Sequence, residues 1–530
     1  MSEAGEEGRH TIARRAGVVA AGTLTSRVLG FARDVVLAAV FPTGATDVFF
    51  VAFTIPNALR VLLGEGAVSA AVVPVLGELR EKQGDEAARA YFARLTGLLA
   101  LVLSIVSALG VLAAPLLALA YAGGYADEAP EKLADVTTLT RIVFPYIFFM
   151  GLAALGMGGL NSMRRFAVPA FAPALLNVAL IAAAFLLVEP ALALGLPAVG
   201  ALALGALLGG ALQLAAQLPS QRAVGLLRWP RLSLRDPAVK RTLTLMVPVL
   251  AGFGVYQLNT ALGRYFLSES GEGAQSYIYY GQRLVEIPQG MFALAIAGAS
   301  LPTLSALRNK GDLPRLRELF GAALRLSLFL AIPASVLLAV LAEPIVTVAF
   351  ARGAFERTDV IETARSLAWQ AAGVWAIASV RTVLPLYYAF QDTRTPVVAS
   401  AVNLVVFAAT ALALLGAFDH VGVAIALSVA GVAQLATLLA LLRSKVGRIG
   451  LRAVAASAAR VSVASAAMGA ASWAVARYGA WSEGGNSAAN VGLLLASVVA
   501  GGAVFLAVAK ALRAPELEDV LAAVRRRIRR

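Results

Sequence analysis

The residues of this sequence that could do chemistry are arginines and carboxylates set inside long apolar runs. Arg27, Arg60 and Arg283 fall deep within such runs. A cation at the centre of a membrane helix costs at least about 2.5–3.5 kcal/mol, so each is expected to face a wet interior and to meet a ligand there. Arg27 and Asp34 are seven residues apart on one apolar run. Seven helical steps, roughly 700°, return to nearly the same stripe, so the two can line one cavity wall at two depths. Arg33 adjoins Asp34 off that stripe and reads equally well as an interfacial helix-end arginine or as part of the site. Asp47 follows Gly44 and Thr46, where a carboxylate opening a helix is favoured by the backbone dipole. Arg60 precedes Gly64-Glu65-Gly66, a bend expected to turn Glu65 inward; the alternative is a buried Arg60–Glu65 pair that only holds the bend. Arg283 and Glu286, ahead of Pro288 and Gly290, repeat the pattern of a cation beside an expected helix break. Arginine's planar fork suits bidentate phosphate binding, so the implied cargo is an anion such as a diphosphate.

Other chemistries are thinly supported. The chain has no cysteine, which excludes disulfides, thiolate nucleophiles and metal–thiolate sites. Its two histidines, His10 and His420, read as solvated loop residues, too few for a haem, a multi-histidine metal centre or a Ser–His–Asp arrangement. The phosphate-cradling G-x-x-x-x-G-K-[ST] pattern is absent, so ATP is not expected to drive the protein directly.

The elements that must position these residues are membrane helices. Of 530 residues, 59% are hydrophobic and only 14% charged, against roughly 25% charged in an ordinary soluble protein. The expected fold is therefore an all-α integral membrane protein. Apolar runs able to cross about 30 Å of hydrocarbon are placed near residues 15–40, 46–76, 93–121, 137–162, 169–188, 196–217, 241–267, 275–307, 319–350, 362–390, 396–417, 421–442, 453–478 and 489–512, fourteen in all. The first has no cleavage-like site after a short apolar core and is expected to remain in the protein. With the N-terminus inside, thirty Lys and Arg fall in the even connections and the two tails, and only Lys132, Arg352 and Arg357 in the odd connections. That asymmetry predicts cytoplasmic termini and explains the net charge of +14 without nucleic acid. The closing basic run, Arg525 to Arg530, reads as a juxtamembrane anchor to anionic lipid.

An internal repeat orders the spans. Pro74-x-Leu76-x-x-Leu79-Arg80-x-Lys82-x-Gly84-Asp85 recurs as Pro302-x-Leu304-x-x-Leu307-Arg308-x-Lys310-Gly311-Asp312, and Pro169 with Asn177 recurs as Pro396 with Asn403. The offset is six spans, an even number, so both copies face the same way and are expected to be related by a pseudo-twofold axis along the membrane normal. The expected organisation is an N-terminal lobe over 1–220, a cytoplasmic linker over 221–240, a second six-helix lobe over 241–445, two further helices over 446–513 and a basic tail over 514–530.

The segments Ser26-Arg27-Val28-Leu29-Gly30-Phe31-Ala32-Arg33-Asp34, Thr46-Asp47-x-Phe49-Phe50-Val51-Ala52-Phe53-x-x-Pro56-Asn57-x-Leu59-Arg60, Glu65-Gly66-Ala67-x-Ser69 and Tyr279-Tyr280-x-x-Arg283-Leu284-x-Glu286-x-Pro288-x-Gly290 closely resemble the MurJ (MviN) lipid II flippases. Phe144-Pro145-Tyr146, Pro169 to Asn177 and Asp392-Thr393-x-Thr395-Pro396 extend the likeness, which is weakest after about residue 450. The resemblance implies the multidrug/oligosaccharidyl-lipid/polysaccharide exporter fold, with two lobes around a central cavity and a groove near the last two helices for a polyprenyl tail. It assigns Arg27, Arg33, Asp34, Asp47, Arg60, Glu65 and Arg283 to the cavity. Asp392 and Asn403 become candidates for a cation site. Val61 and Gln282 depart from the family pattern, which often has a second arginine after Arg60 and an acid before Arg283.

The implied function is translocation of the undecaprenyl-diphosphate-linked peptidoglycan precursor, lipid II, from the inner to the outer leaflet of the bacterial plasma membrane by alternating access. No covalent bond is made and no cofactor is required; sodium, protons or the membrane potential would supply energy, and membrane lipids and the cell-wall synthesis machinery are the expected partners. The rival readings are an exporter of polysaccharide-linked lipids or of drugs, a membrane glycosyltransferase, for which the odd connections are too short to carry a catalytic domain, and a non-transporting scaffold, which would not need costly arginines.

Overall fold

In the computed structural model the described residues are 3–60, 68–233, 235–447, 449–483 and 485–518; within the helices, only the backbone is described for 3–16, 59, 68–70, 247–256 and 290–302. These residues form helices and turns with no strand among them. The chain divides into two compact units, Met1–Glu269 and Ser270–Arg530.

The first unit holds α1 (Glu3–Val40), α2 (Thr43–Arg60), α3 (Val68–Leu112), α4 (Ala114–Ala122), α5 (Tyr125–Glu128), α6 (Pro130–Val143), α7 (Tyr146–Ser162), α8 (Ala167–Leu186), α9 (Val188–Ala193), α10 (Gly200–Ala223) and α11 (Pro237–Ser268). Apolar side chains gain little from leaving lipid for another helix, so association in a membrane rests on close backbone approach over small residues. The sequence supplies them. Gly205 and Gly209 of α10 lie against Ala183, Ala179 and Leu176 of α8, and Gly22 of α1 lies against Ala170 of α8. A core of Tyr91, Phe92, Leu103, Phe144, Ile147 and Leu155 joins α3 to α7 and the turn before it. The seventh expected span, α11, packs on α3 and α4 in this first unit.

The second unit holds α12 (Ala274–Asn309), α13 (Leu313–Val340), α14 (Ala342–Phe350), α15 (Arg357–Ala372), α16 (Val374–Ala389), α17 (Arg394–Phe418), α18 (His420–Val446), α19 (Leu451–Ala476) and α20 (Ala488–Ala511). Its tightest pairings are α17 with α18 and α19 with α20. Gly501 of α20 sits against Ser472 and Met468 of α19, so no larger residue fits there.

Among the described residues nine helices are long and apolar enough to cross a membrane, or ten if α15 and α16, bent by 41° at Gly373, make one span. Several expected spans map onto more than one helix. The fourth is α6 and α7, interrupted at Phe144-Pro145, and the ninth is α13 and α14. The second expected span ends inside α3, which continues into the third through one non-helical residue, Gly84, at φ 84° and ψ 175°. That conformation is open to glycine and strained for any side chain. Its repeat partner Gly311 also has positive φ, 72°, and Asp312 after it caps α13 by accepting the Arg315 N–H at 3.1 Å. The break expected at Pro288 and Gly290 is absent: α12 runs through both without interruption. A proline costs a membrane helix one backbone bond, which neighbouring groups can make good, so it need not end the helix.

Within each unit, contacts between connections join those of the same expected parity. In the first, Lys132 of the third connection reaches Asp47 beside the first at 3.3 Å. The second connection meets the sixth through Arg228–Glu86, Arg94–Asp236 and Arg241–Glu78. In the second unit Gly271 N–H donates to Asp419 at 3.2 Å and Arg357 donates to the Trp481 carbonyl at 3.2 Å, all odd connections. Lys445 reaches Asp392 at 2.9 Å and Arg317 donates to the Val446 carbonyl at 2.5 Å, all even.

Candidate functional site

Arg33 and Asp34 lie on adjacent faces of α1 and are both buried, 8% and 1% exposed. Arg33 donates through Nε and Nη2 to Asp34 Oδ1 at 3.0 and 2.6 Å and through Nη1 to Asn177 Oδ1 on α8 at 3.1 Å. Asn177 in turn donates to the Ser26 carbonyl at 3.1 Å. The cluster ties α1 to α8 with charge-assisted bonds, the environment that makes a buried cation tolerable. Arg27 is exposed on the same helix, about 10 Å along the axis from Asp34 at 1.5 Å per residue.

Asp47, fully buried near the start of α2, is held by Lys132, whose ammonium also lies 5.2 Å from the centre of the Tyr125 ring. Arg60 closes α2 and donates through Nε to Asn57 Oδ1 at 2.7 Å. Glu65 and Val61 lie outside the described residues.

In the second unit Arg283 occupies the first half of α12. Its guanidinium lies 4.8 Å from the centre of the Tyr279 ring, donates through Nη2 to Tyr279 Oη at 3.0 Å, and pairs with Glu286 at 2.8 Å. The residues at i−4 and i+3 therefore grip one fork from both sides along the helix. The Arg283 side chain stays 35% exposed, within reach of a ligand, and Gln282 beside it is exposed.

Asp392 and Asn403 are not brought together. Asp392 precedes α17 and caps it, accepting from the Arg394 and Thr395 N–H groups at 3.0 Å each, from Thr395 Oγ1 at 2.6 Å and from Lys445 at 2.9 Å. Burial pushes this carboxyl up, but those bonds outweigh it and hold it well below the ordinary aspartate range. Asn403 lies about 16 Å further along by helical rise and meets Gln434 of α18 at 3.4 Å.

His420 is not the solvated loop residue that its place in a short connection implies. It is 4% exposed, 5.2 Å from the Tyr277 ring centre, with Nε2 3.5 Å from Glu362 and Nδ1 3.9 Å from Asp419. Three helices, α12, α15 and α18, meet there, which no local pattern reveals.

A sequence model of the lipid II flippase MurJ family matches residues 37–486. The chain belongs to the MurJ family. It is 36% identical over 413 residues, 77% of its length and 79% of the relative's, to the lipid II flippase MurJ of Burkholderia cenocepacia. It is 36% identical over 438 residues, 79% of its length and 81% of the relative's, to a probable lipid II flippase MurJ of Vibrio cholerae. A solved structure of lipid II flippase MurJ in an inward closed conformation overlays with a TM-score of 0.75 at 23% identity, covering 93% of this chain and 97% of that one. An inward-facing multidrug transporter of the MATE family overlays at 0.66 and 13% identity, covering 80% and 95%, a likeness of fold alone. The MurJ match covers Asp47, Arg60, Glu65 and Arg283, while Arg27, Arg33 and Asp34 lie just ahead of it. Sequence reasoning missed Lys132, the partner of Asp47, and the grip of Tyr279 on Arg283. Only the second had a signal, the i, i+4 spacing of an aromatic and an arginine on one helix.

Proposed function

We infer that this protein is a lipid II flippase, carrying the undecaprenyl-diphosphate-linked peptidoglycan precursor from the inner to the outer leaflet of the bacterial plasma membrane for cell-wall biogenesis. It is a transporter and not an enzyme. The observation that carries the reading is the family match over residues 37–486, with curated relatives named as lipid II flippases. The fold, shared with inward- and outward-facing transporters, supports alternating access as the cycle.

In this reading Arg27, Arg60 and Arg283 hold the cargo diphosphate and Glu65 belongs to the same site, while Arg33, Asp34 and Asp47 keep α1 and α2 in place. The polyprenyl tail stays in lipid along α19 and α20. Fourteen spans, cytoplasmic termini and two pseudo-symmetric lobes complete the arrangement; reporter fusions after residues 125 and 270 would read extracytoplasmic, and those after 84, 225 and 311 cytoplasmic. A diphosphate carries about two negative charges, and each charge moved outward with the cell interior negative releases about 2.3 kcal/mol per 100 mV. Cargo movement is downhill in that field, and the cycle needs no ATP. A cation bound near Asp392 would be the alternative source of coupling, but that carboxylate already accepts from Lys445 and Thr395.

The test is rescue of a strain depleted of its lipid II flippase, with precursor measured in each leaflet. Rescue with outer-leaflet precursor restored is expected. Normal membrane insertion with precursor still trapped inside would overturn the reading. In vesicles at zero potential, transport driven by a sodium or proton gradient alone would replace the potential-driven account with an ion-coupled one.

A further inference from the structure

The segment between α10 and α11 carries a surface that the transport reading does not use. Its described residues, 226–233 and 235–236, have neither helix nor strand, and it exposes Trp229 (87%), Leu232 (66%) and Leu227 (45%). It is nevertheless fixed. Arg228 forks onto Glu86 at 2.5 and 2.8 Å, the Arg231 N–H donates to the Ala93 carbonyl at 3.1 Å, and Asp236 pairs with Arg94. Gly97 of α3 admits the strap: a side chain there would meet the Arg231 carbonyl oxygen at 2.5 Å. The apolar side chains are thus held outward by a clasp whose charges face α3.

Charge on the strap is unevenly satisfied. The carboxylates of Glu78, Asp85, Glu86 and Asp236 are taken up by Lys82, Arg241, Arg80, Arg89, Arg228 and Arg94. Arg222, Arg231, Arg235 and Lys240 are exposed and have no ion pair among the described residues, with Glu81 the one exposed acid left on this stretch of α3. Three large apolar groups, with the unpaired Arg231 and Arg235 beside them, start four residues beyond α10, which is long and apolar enough to span a bilayer and ends at Ala223.

We propose that the strap Leu226–Asp236 is a preformed binding surface for anionic phospholipid headgroups, with Trp229, Leu227 and Leu232 set into the headgroup–acyl boundary and Arg231 and Arg235 on the lipid phosphates. Tryptophan favours that boundary because its ring is apolar and its N–H is polar, and each arginine near an anionic surface contributes electrostatic attraction. A protein partner would cover the same apolar groups, but the excess of cations and the nearness to a span end select a lipid surface. Because the strap is already clasped to α3, binding orders little new chain. The proposal rests on the chain spanning a bilayer, and not on what it transports.

The test uses the full-length protein in nanodiscs of phosphatidylcholine with added brominated phosphatidylglycerol or brominated phosphatidylcholine. The quenching lost in Trp229→Phe isolates this ring among the five tryptophans. Trp229 is expected to be quenched by both lipids and at lower content by the anionic one. Arg231→Gln and Arg235→Gln should each raise the brominated phosphatidylglycerol content needed for half quenching about five-fold, the equivalent of about 1 kcal/mol per arginine, while leaving quenching by phosphatidylcholine unchanged. Both side chains are exposed, so folding, checked by size exclusion, should be unaffected. No quenching of Trp229 by either lipid would place the strap in water and overturn the proposal. Equal quenching by both lipids, insensitive to the two arginine changes, would also overturn it, leaving apolar insertion without headgroup recognition.

Discussion

Arg33 and Arg283 each stand on a long helix with a carboxylate within one turn, yet their side chains are 9% and 35% exposed. The partners differ with the depth. Arg33 is held by Asp34 on its own helix and by Asn177 on another, so it fastens α1 to α8. Arg283 is gripped by Tyr279 and Glu286, both on α12 at i−4 and i+3, and its side chain stays partly open. A buried guanidinium bonded across helices is a strut, whereas one left a third exposed is a presented group. The same residue type, legible in the sequence at both places, serves two purposes set by how deeply it is buried.

The largest expected effect tests the strut. Asp34→Ala leaves Arg33 buried without its carboxylate, and breaking a buried pair in this way costs about 3–5 kcal/mol. Thermal unfolding of the purified protein should fall steeply. Glu286→Ala, at a part-exposed pair, should cost no more than about 1 kcal/mol. Equal stability of the two variants would erase the distinction between the two arginines.

The next effect falls on transport. Arg283→Ala should leave unfolding within about 1 kcal/mol of the parent but weaken cargo binding about ten- to hundred-fold, the range set by a lost hydrogen bond to a charged group. Arg283→Lys should recover little because it lacks the planar fork. Tyr279→Phe keeps the ring under the guanidinium and loses only the Oη contact, so its effect should be smaller. Flipping assays in vesicles, with binding of a labelled lipid-linked diphosphate, give the order. A Tyr279→Phe defect as large as Arg283→Ala would mean that orientation, and not charge, is what the site supplies.

The helical class, the repeat and the arginines were readable because hydropathy, charge and glycine position are local properties. Gly84 and Gly311 show how far this goes: the repeated Gly-Asp motif marks two turns, and both glycines have positive φ. Partners across helices were not readable. Lys132 is 85 residues from Asp47 and Asn177 is 144 from Arg33, and helical periodicity states which face a residue occupies without stating what lies opposite. His420 failed for the same reason, since its burial comes from Tyr277 and Glu362 on two other helices. Pro288 failed differently: a proline in water ends a helix more readily than one packed among membrane helices.

A smaller effect compares the two copies of the motif. Gly84→Ala forces a side chain into a conformation nearly restricted to glycine and should cost about 1–3 kcal/mol. Gly311→Ala places a side chain at a positive φ of 72° and should cost about 1–2 kcal/mol. Neither site has a neighbour that an added methyl group would strike, so the backbone alone decides. Chemical or thermal unfolding in detergent measures both. A neutral Gly84→Ala would show that α3 can straighten through the turn.

The smallest effect concerns a pair of intermediate exposure. Asp419 stands at φ 54° between α17 and α18, its side chain 54% exposed beside a histidine that is 5% exposed. His420 pulls its carboxyl down most, against the upward push of burial, and Gly271 N–H and Ser270 add to the pull, leaving it at about 2 against an ordinary 3.8. A depressed acid contributes stability that is complete above its unfolded value and is lost as the pH falls. The contribution should therefore be flat above about pH 4 and disappear between there and about pH 2. Half-exposure to solvent limits it to about 0.5–1 kcal/mol. Asp419→Asn should lower the unfolding temperature slightly at neutral pH and converge with the parent in acid. His420→Asn should remove most of the difference, because the principal partner is gone. If Asp419→Asn is as stable as the parent at neutral pH, the half-exposed pair behaves like Arg283–Glu286, and only the fully buried Arg33–Asp34 pair acts as a strut.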